Sequence, residues 1–231
     1  MGRYEEAIAA AKQAILRNPN WLPSHIELSI SYRLLWIFQQ SHAPQTLDQA
    51  LEAAQRAVAL DSTPPWAHLS LSWAYLWKKQ YEQALAETEQ VLTLNPPFGG
   101  VYALLANTLN YLGRLEEASK LVEKALRLRP RLLPGHFRSL GHTYYLTGRS
   151  EEAIAALKRS LIGTPADLDA HLLLAAVYSE LGQGTEAQAE TAEVLRINPN
   201  WSLEVWRQRV PYKDPAMLER VFAALRKAGL K

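Results

Sequence analysis

The sequence predicts an all-α solenoid built from antiparallel helix pairs, and three observations carry that prediction. Ala50, Ala84, Ala118, Ala153 and Ala187 recur at spacings of 34, 34, 35 and 34 residues, and Ala7 stands in similar surroundings. A proline follows most of these alanines after twelve residues, at Pro19, Pro96, Pro130, Pro165 and Pro199. Between these marks apolar residues fall at i, i+3, i+4 and i+7, the spacing of amphipathic helices. A fixed period of this length belongs to repeats that bury their apolar faces only by stacking on neighbours.

Each repeat reads as two short helices, A and B. Small residues on helix A (Ser29, Ser72, Ala106, Gly141, Ala175) face the periodic alanines of helix B, so the two axes can approach to about 8–10 Å. Gly113, Gly148 and Gly182 end helix A, where glycine accepts a left-handed turn. The proline after helix B cannot continue the helix and sets the angle into the next repeat. These marks resemble the tetratricopeptide repeat (TPR), with the alanines at repeat position 20 and the prolines at position 32. Leu28, Leu71, Leu105, Leu140 and Leu174 then fall at position 7, and Tyr32, Tyr75, Leu109, Tyr144 and Tyr178 at position 11. The resemblance covers nearly the whole chain and implies a right-handed TPR superhelix with a C-terminal two-helix cap.

Taken in order, residues 1–21 read as half a repeat. Gly2-Arg3-Tyr4-Glu5-Glu6-Ala7 corresponds to positions 15 to 20, so the chain opens at the start of a helix B without its helix A. The expectation is a piece of a longer polypeptide or a truncated gene product; the alternative is an ordinary capping helix over 3–17. An orphan helix B leaves Ile8, Ala11 and Ile15 uncovered, which predicts a homodimer through the helix 3–17. The repeat at 22–64 has nine extra residues between Tyr32 and Ala50. They read as a lengthened helix A through Leu35-Trp36-Ile37-Phe38, then a loop at Ser41-His42-Ala43-Pro44. Regular repeats follow at 65–98, 99–133 (with Leu133 as an extra linker residue), 134–167 and 168–201. In 202–231 a helix to Arg209 is broken at Val210-Pro211-Tyr212-Lys213. Asp214 then caps a last helix with Pro215 at its first position and Gly229 as its stop.

Composition narrows the function classes. With 48% of 231 residues hydrophobic and 21% charged, the chain is not intrinsically disordered. Lys+Arg 25 against Asp+Glu 23 gives no basic excess for nucleic acid or an anionic membrane. Cysteine is absent, which removes disulfides, thiolate catalysis and Cys-based metal sites. Glu5 and Glu6 stand where a signal peptide needs apolar residues, and Glu6 where myristoylation needs Ser or Thr. The apolar runs Leu34–Phe38 and Leu172–Tyr178 fall far short of the roughly 20 residues that span a bilayer. The sequon Asn200-Trp201-Ser202, without a secretory signal, is read as chance. These features predict a cytoplasmic protein with no membrane insertion.

No chemistry-bearing motif emerges. Gly182-Gln183-Gly184 lacks the Gly-Lys-Ser/Thr of a phosphate loop, and neither a Gly-x-Ser-x-Gly elbow nor a His-Glu-x-x-His occurs. His25, His68 and His171 share position 4, which Tyr102 and Phe137 occupy elsewhere. Equivalent residues of adjacent repeats lie on the order of 10 Å apart, too far to share a zinc ion with ligands near 2 Å. The Glu pairs at the start of helix B complement the helix dipole. The expectation is no enzyme, no metal and no cofactor.

The TPR resemblance implies a protein or peptide partner in the concave groove lined by helix A. Its candidate residues are Ile30, Arg33, Leu69, Trp73, Trp77, Asn107, Asn110, Tyr111, Arg138, His142 and Tyr145. Trp, Tyr and Arg dominate binding hot spots. Asn107 and Asn110 could hydrogen-bond a peptide backbone, and Arg138 could hold a carboxylate. In the competing readings Trp73 and Trp77 belong to the core, or the groove serves self-association. Finally, Ser202-Leu203-Glu204, Pro211-Tyr212-Lys213-Asp214-Pro215 and Leu218-Glu219-Arg220, with Trp66-Ala67-His68-Leu69-Ser70-Leu71-Ser72-Trp73, resemble one bacterial group. These are multidomain proteins with an N-terminal class III adenylate/guanylate cyclase or DNA-binding domain, a TolB-like middle region and a C-terminal TPR array. That resemblance implies a regulatory interaction module. It transfers no cyclase activity, because the catalytic domain would lie upstream of residue 1.

Overall fold

The computed structural model describes residues 3–128 and 132–231; Met1, Gly2 and Pro130 lie outside the described residues. All regular structure among the described residues is α-helical, and no helix there is long and apolar enough to cross a membrane. The chain divides into two compact units, one running to Pro96 with Arg209–Pro211, the other comprising Pro97–Gln208 with Tyr212–Lys231.

Unit 1 holds α1 (Arg3–Arg17), α2 (Leu22–Ile37), α3 (Gln45–Leu60), α4 (Pro65–Trp77) and α5 (Tyr81–Thr93). Consecutive helices pack on one another, and the A helices α2 and α4 also touch directly. Helix α2 has 16 residues where α4 has 13, and it stops at Ile37 because the turn that follows places Gln39 at φ 56°. Lys79 takes the same left-handed conformation, φ 59°, after α4. Ile8 and Ala11 are not uncovered, contrary to the expectation for an orphan helix B. Ile8 is buried in a cluster with Tyr32, Leu35 and Ala50, and Ala11 is buried too, because α2 lies against this face of α1. What α1 does expose is Leu16, 81% accessible. Arg209, which belongs to this unit, donates from Nη1 to the carbonyls of Trp36 (2.6 Å) and Ser41 (2.9 Å) and stacks over the Trp36 ring. It ties the last turn of α2, where the helix dipole favours a cation, to the turn that follows at Ser41.

Unit 2 holds α6 (Gly99–Tyr111), α7 (Leu115–Leu128), α8 (Pro134–Leu146), α9 (Ser150–Gly163), α10 (Leu168–Glu180) and α11 (Gly184–Ile197). The short α12 (Leu203–Arg209) and α13 (Pro215–Lys227) follow. The A helices α6, α8 and α10 stack in sequence, each against its own B helix, and α13 packs on α10. Gly113, Gly148 and Gly182 close the A-to-B turns at φ 77°, 77° and 75°, where a Cβ would be strained. The alanines at position 20 are sealed in the A–B contact: Ala118 and Ala153 have no accessible surface. Opposite them space is equally tight, since a Cβ on Gly141 would stand 2.6 Å from Leu157 Cγ. In α13 the Asp214 side chain accepts from Ala216 N and Pro215 takes the first helical position, while Val221, Phe222 and Leu225 are buried.

Candidate functional site: the helix A faces

The helix A face of unit 1 comes from α2 and α4, whose B partners cover their other sides. Its floor is Leu69, fully buried. Ile30, Arg33 and Trp73 are half-buried, with the Arg33 guanidinium 4.7 Å from the Trp73 ring centroid. Trp77 is not on offer to a partner. It is buried in a cluster with Ile37 and Leu47, flanked by Leu34, Trp36 and Phe38, because the lengthened α2 supplies apolar residues that close over it. At the other end of the face an apolar recess of about 290 Å³ opens between Leu22, Pro23, Ile26 and Glu27 of α2 and Pro64 and Trp66 at the start of α4. Trp66 is 43% accessible there.

The helix A face of unit 2 is occupied by the chain itself. Tyr212, in the break between α12 and α13, inserts its ring against Tyr111 and His142, with centroids 4.9 and 5.9 Å away. Its hydroxyl meets His142 Nε2 at 2.8 Å, and His142 Nδ1 meets Asn107 Oδ1 at 2.8 Å. Burial, then the charge of Arg138, pushes the His142 pKa down to about 3, so the ring is neutral. A neutral imidazole has one N–H: Nδ1 donates to the Asn107 carbonyl oxygen and Nε2 accepts from Tyr212. The Tyr212 hydroxyl holds its proton, its pKa raised first by burial and then by the neighbouring Tyr111. Lys213 N donates to Tyr111 O at 2.8 Å.

The other polar candidates are likewise engaged. Asn110 has no accessible surface, and its Nδ2 donates to Thr143 Oγ1 at 2.9 Å. Arg138 reaches Asp169 Oδ2 at 2.8 Å and Asp167 Oδ2 at 3.2 Å, so the carboxylate expected from a partner is supplied within the unit. Tyr145 is buried and donates to Glu180 Oε1 at 2.9 Å; Arg220 of α13 binds the same carboxylate through Nε (2.9 Å) and Nη2 (2.8 Å). His142, Tyr145 and Asn110, expected to line an open groove, are therefore inside the protein: Tyr212 covers His142, Arg220 lies over Tyr145, and Asn110 is turned into the contact with Thr143 of α8. Tyr212, Arg220 and Asp167 were not among the expected site residues.

Position 4 has its own chemistry. The Nε2 atoms of His25, His68 and His171 lie 2.9, 2.9 and 3.0 Å from the carbonyls of Pro19, Ser62 and Pro165, each six residues earlier. A carbonyl only accepts, so each Nε2 carries a proton and pins the inter-repeat turn to helix A. At the same position Phe137 and Tyr102 sit under cations, Arg159 and Lys124.

Helical hairpins stacked through small residues, with proline between pairs, define a helical-repeat scaffold. Residues 1–20, 100–161 and 144–207 each match the tetratricopeptide repeat family, together more than half of the chain. The chain is a tetratricopeptide repeat protein. Solved structures agree on the fold. The APC/C hetero-tetramer Cut9–Hcn1 matches with TM-score 0.68 and 13% identity over 98% of this chain and 46% of that one. TTC0263, a thermophilic TPR protein of Thermus thermophilus, matches with TM-score 0.58 and 25% identity over 83% and 97%. PilW, a type IV pilus biogenesis factor, matches with TM-score 0.57 and 20% identity over 87% and 89%. This chain thus spans less than half the length of the first of these.

Proposed function

We propose that the chain is a non-catalytic protein- or peptide-binding scaffold, working in the cytoplasm as the regulatory interaction module of a larger bacterial signalling protein. The observation that carries the binding part is the helix A face of unit 1, where Trp66 stands exposed beside the apolar recess and Arg33 stacks on Trp73. Burying exposed tryptophan in a partner contact is worth about 25 cal/mol per Å² of apolar area, and such residues are the usual anchors of interfaces. The signalling context rests on the resemblance of the C-terminal segment described above. The test is selection of a displayed peptide library on the full chain. Enriched peptides should bind Trp66→Ala at least about tenfold more weakly; unchanged affinity would sink this face as the site. A second reading, self-association through α1, is favoured by exposed Leu16, and a concentration-independent monomer mass in sedimentation would dismiss it.

A further inference from the structure

The position-4 histidines differ in one respect. His68 Nδ1 lies 2.6 Å from Glu87 and His171 Nδ1 2.5 Å from Glu190, each carboxylate three residues after the position-20 alanine of helix B. At His25 the same register holds Ala53, three residues after Ala50. No carboxylate replaces it: His25 Nδ1 has no hydrogen-bond partner among the described residues, although the residue is buried, with only 7% of its surface exposed. In its place is a cavity of about 450 Å³ lined by His25 and Ala53, within the roughly 300–1,000 Å³ of small-molecule sites.

We propose that this cavity binds a small carboxylate with an apolar body, the carboxylate taking the place on His25 that Glu87 takes on His68. The remaining lining fits both halves of such a ligand. Ile15 and Leu16 of α1 and Leu28 and Tyr32 of α2 give an apolar floor and wall. Lys12 from α1 and Arg56 from α3 bring positive charge to the rim, against the single acid Glu52. Arg56 stands at the register where Gln90 and Glu193 accompany the two histidines that already have their glutamates. Because Nε2–H is committed to Pro19 O, Nδ1 donates to the bound carboxylate as part of an imidazolium, a charge-assisted bond. The site lies apart from the helix A face and does not depend on the scaffold reading.

The test uses octanoate on the full chain, followed by the imidazole NMR signals of His25 and by calorimetry, with acetate and 1-octanol as controls. Octanoate should shift His25 saturably and bind at least about tenfold more tightly than either control. Ala53→Glu, which restores the carboxylate seen at His68, should abolish binding. His25→Phe, which copies the register of Phe137, should weaken it about tenfold. Equal binding of octanol, undiminished binding to Ala53→Glu or His25→Phe, or no saturable shift at His25 would overturn the proposal. Equal binding of acetate would overturn the apolar part of the ligand.

Discussion

Replacing Tyr212 by Phe deletes one oxygen atom and leaves the ring in its place between Tyr111 and Trp206. The oxygen donates at 2.8 Å to His142 Nε2, and His142 is only 2% accessible, so water cannot take over. The neutral ring has already committed Nδ1–H to Asn107, which leaves Nε2 a buried acceptor without a donor. An orphaned neutral acceptor costs about 1–3 kcal/mol, and no cavity cost adds to it because the ring stays. Arrays of repeats can unfold piecewise, so the readout should be local. Hydrogen exchange of amides in α8 and at the start of α13 should speed up by the factor that corresponds to this loss, about tenfold or more. A double-mutant cycle with His142→Phe should return a coupling of about 1 kcal/mol or more, since the second change removes the orphaned acceptor. Protection unchanged within a factor of two in Tyr212→Phe, together with no coupling, would refute the account of the helix A face of unit 2.

Two further outcomes follow from the packing and the charges. Gly141→Ala places a Cβ 2.6 Å from Leu157 Cγ and 3.3 Å from Ala153 O, and Leu157 is fully buried. The gain of about 1 kcal/mol in helix propensity should be outweighed by about 1–3 kcal/mol of overpacking, lowering the urea midpoint; a raised midpoint would contradict the tight A–B approach. In acid, His142 stays neutral in the folded protein down to about pH 3, while an unfolded histidine takes its proton near 6.5. The unfolded state then binds more protons, so stability should fall with pH below about 6.5, by about 3 kcal/mol at pH 4 from this group. His171 has the opposite sign. Burial lowers its pKa, but the bond to Glu190, the Pro165 carbonyl and nearby carboxylates raise it overall, so its contribution is present below 6.5 and is lost as pH rises through the raised value. An NMR titration checks both, and a His142 ring that titrates near 6.5 in the folded protein would contradict the neutral network.

The helix pairs were legible because their determinants are local and periodic. Ala118 and Ala153 at the A–B contact, and the left-handed glycines at 113, 148 and 182, each declare themselves within one repeat. The closure of the unit 2 face was not legible, because its residues are distant and break the period: Tyr212 meets a histidine 70 residues earlier, and Arg220 a glutamate 40 residues earlier. The burial of Trp77 was one of two readings that the sequence left open, and the extra apolar residues of α2 decide it. The histidine–glutamate pairs, by contrast, carried a readable signal. His68 and Glu87, like His171 and Glu190, are 19 residues apart at fixed repeat positions, and comparing that register with Ala53 exposes the odd repeat.

The pairing of polar groups within unit 2 also determines what binding could draw on. A partner carboxylate at Arg138 would have to displace Asp169 and Asp167, exchanging one charge-assisted contact for another of equal kind. Such an exchange yields no net attraction to set against the several kcal/mol lost in association. The same holds for a peptide amide competing with His142 for Asn107, or with Thr143 for Asn110. Displacing the whole covering segment is costlier still, because Val221, Phe222 and Leu225 would return to water at about 2 kcal/mol each. Polar residues that look like anchors in the sequence thus contribute to folding, and a partner would have to draw its free energy from apolar surface that the chain leaves accessible, of which Trp66 on α4 is one part.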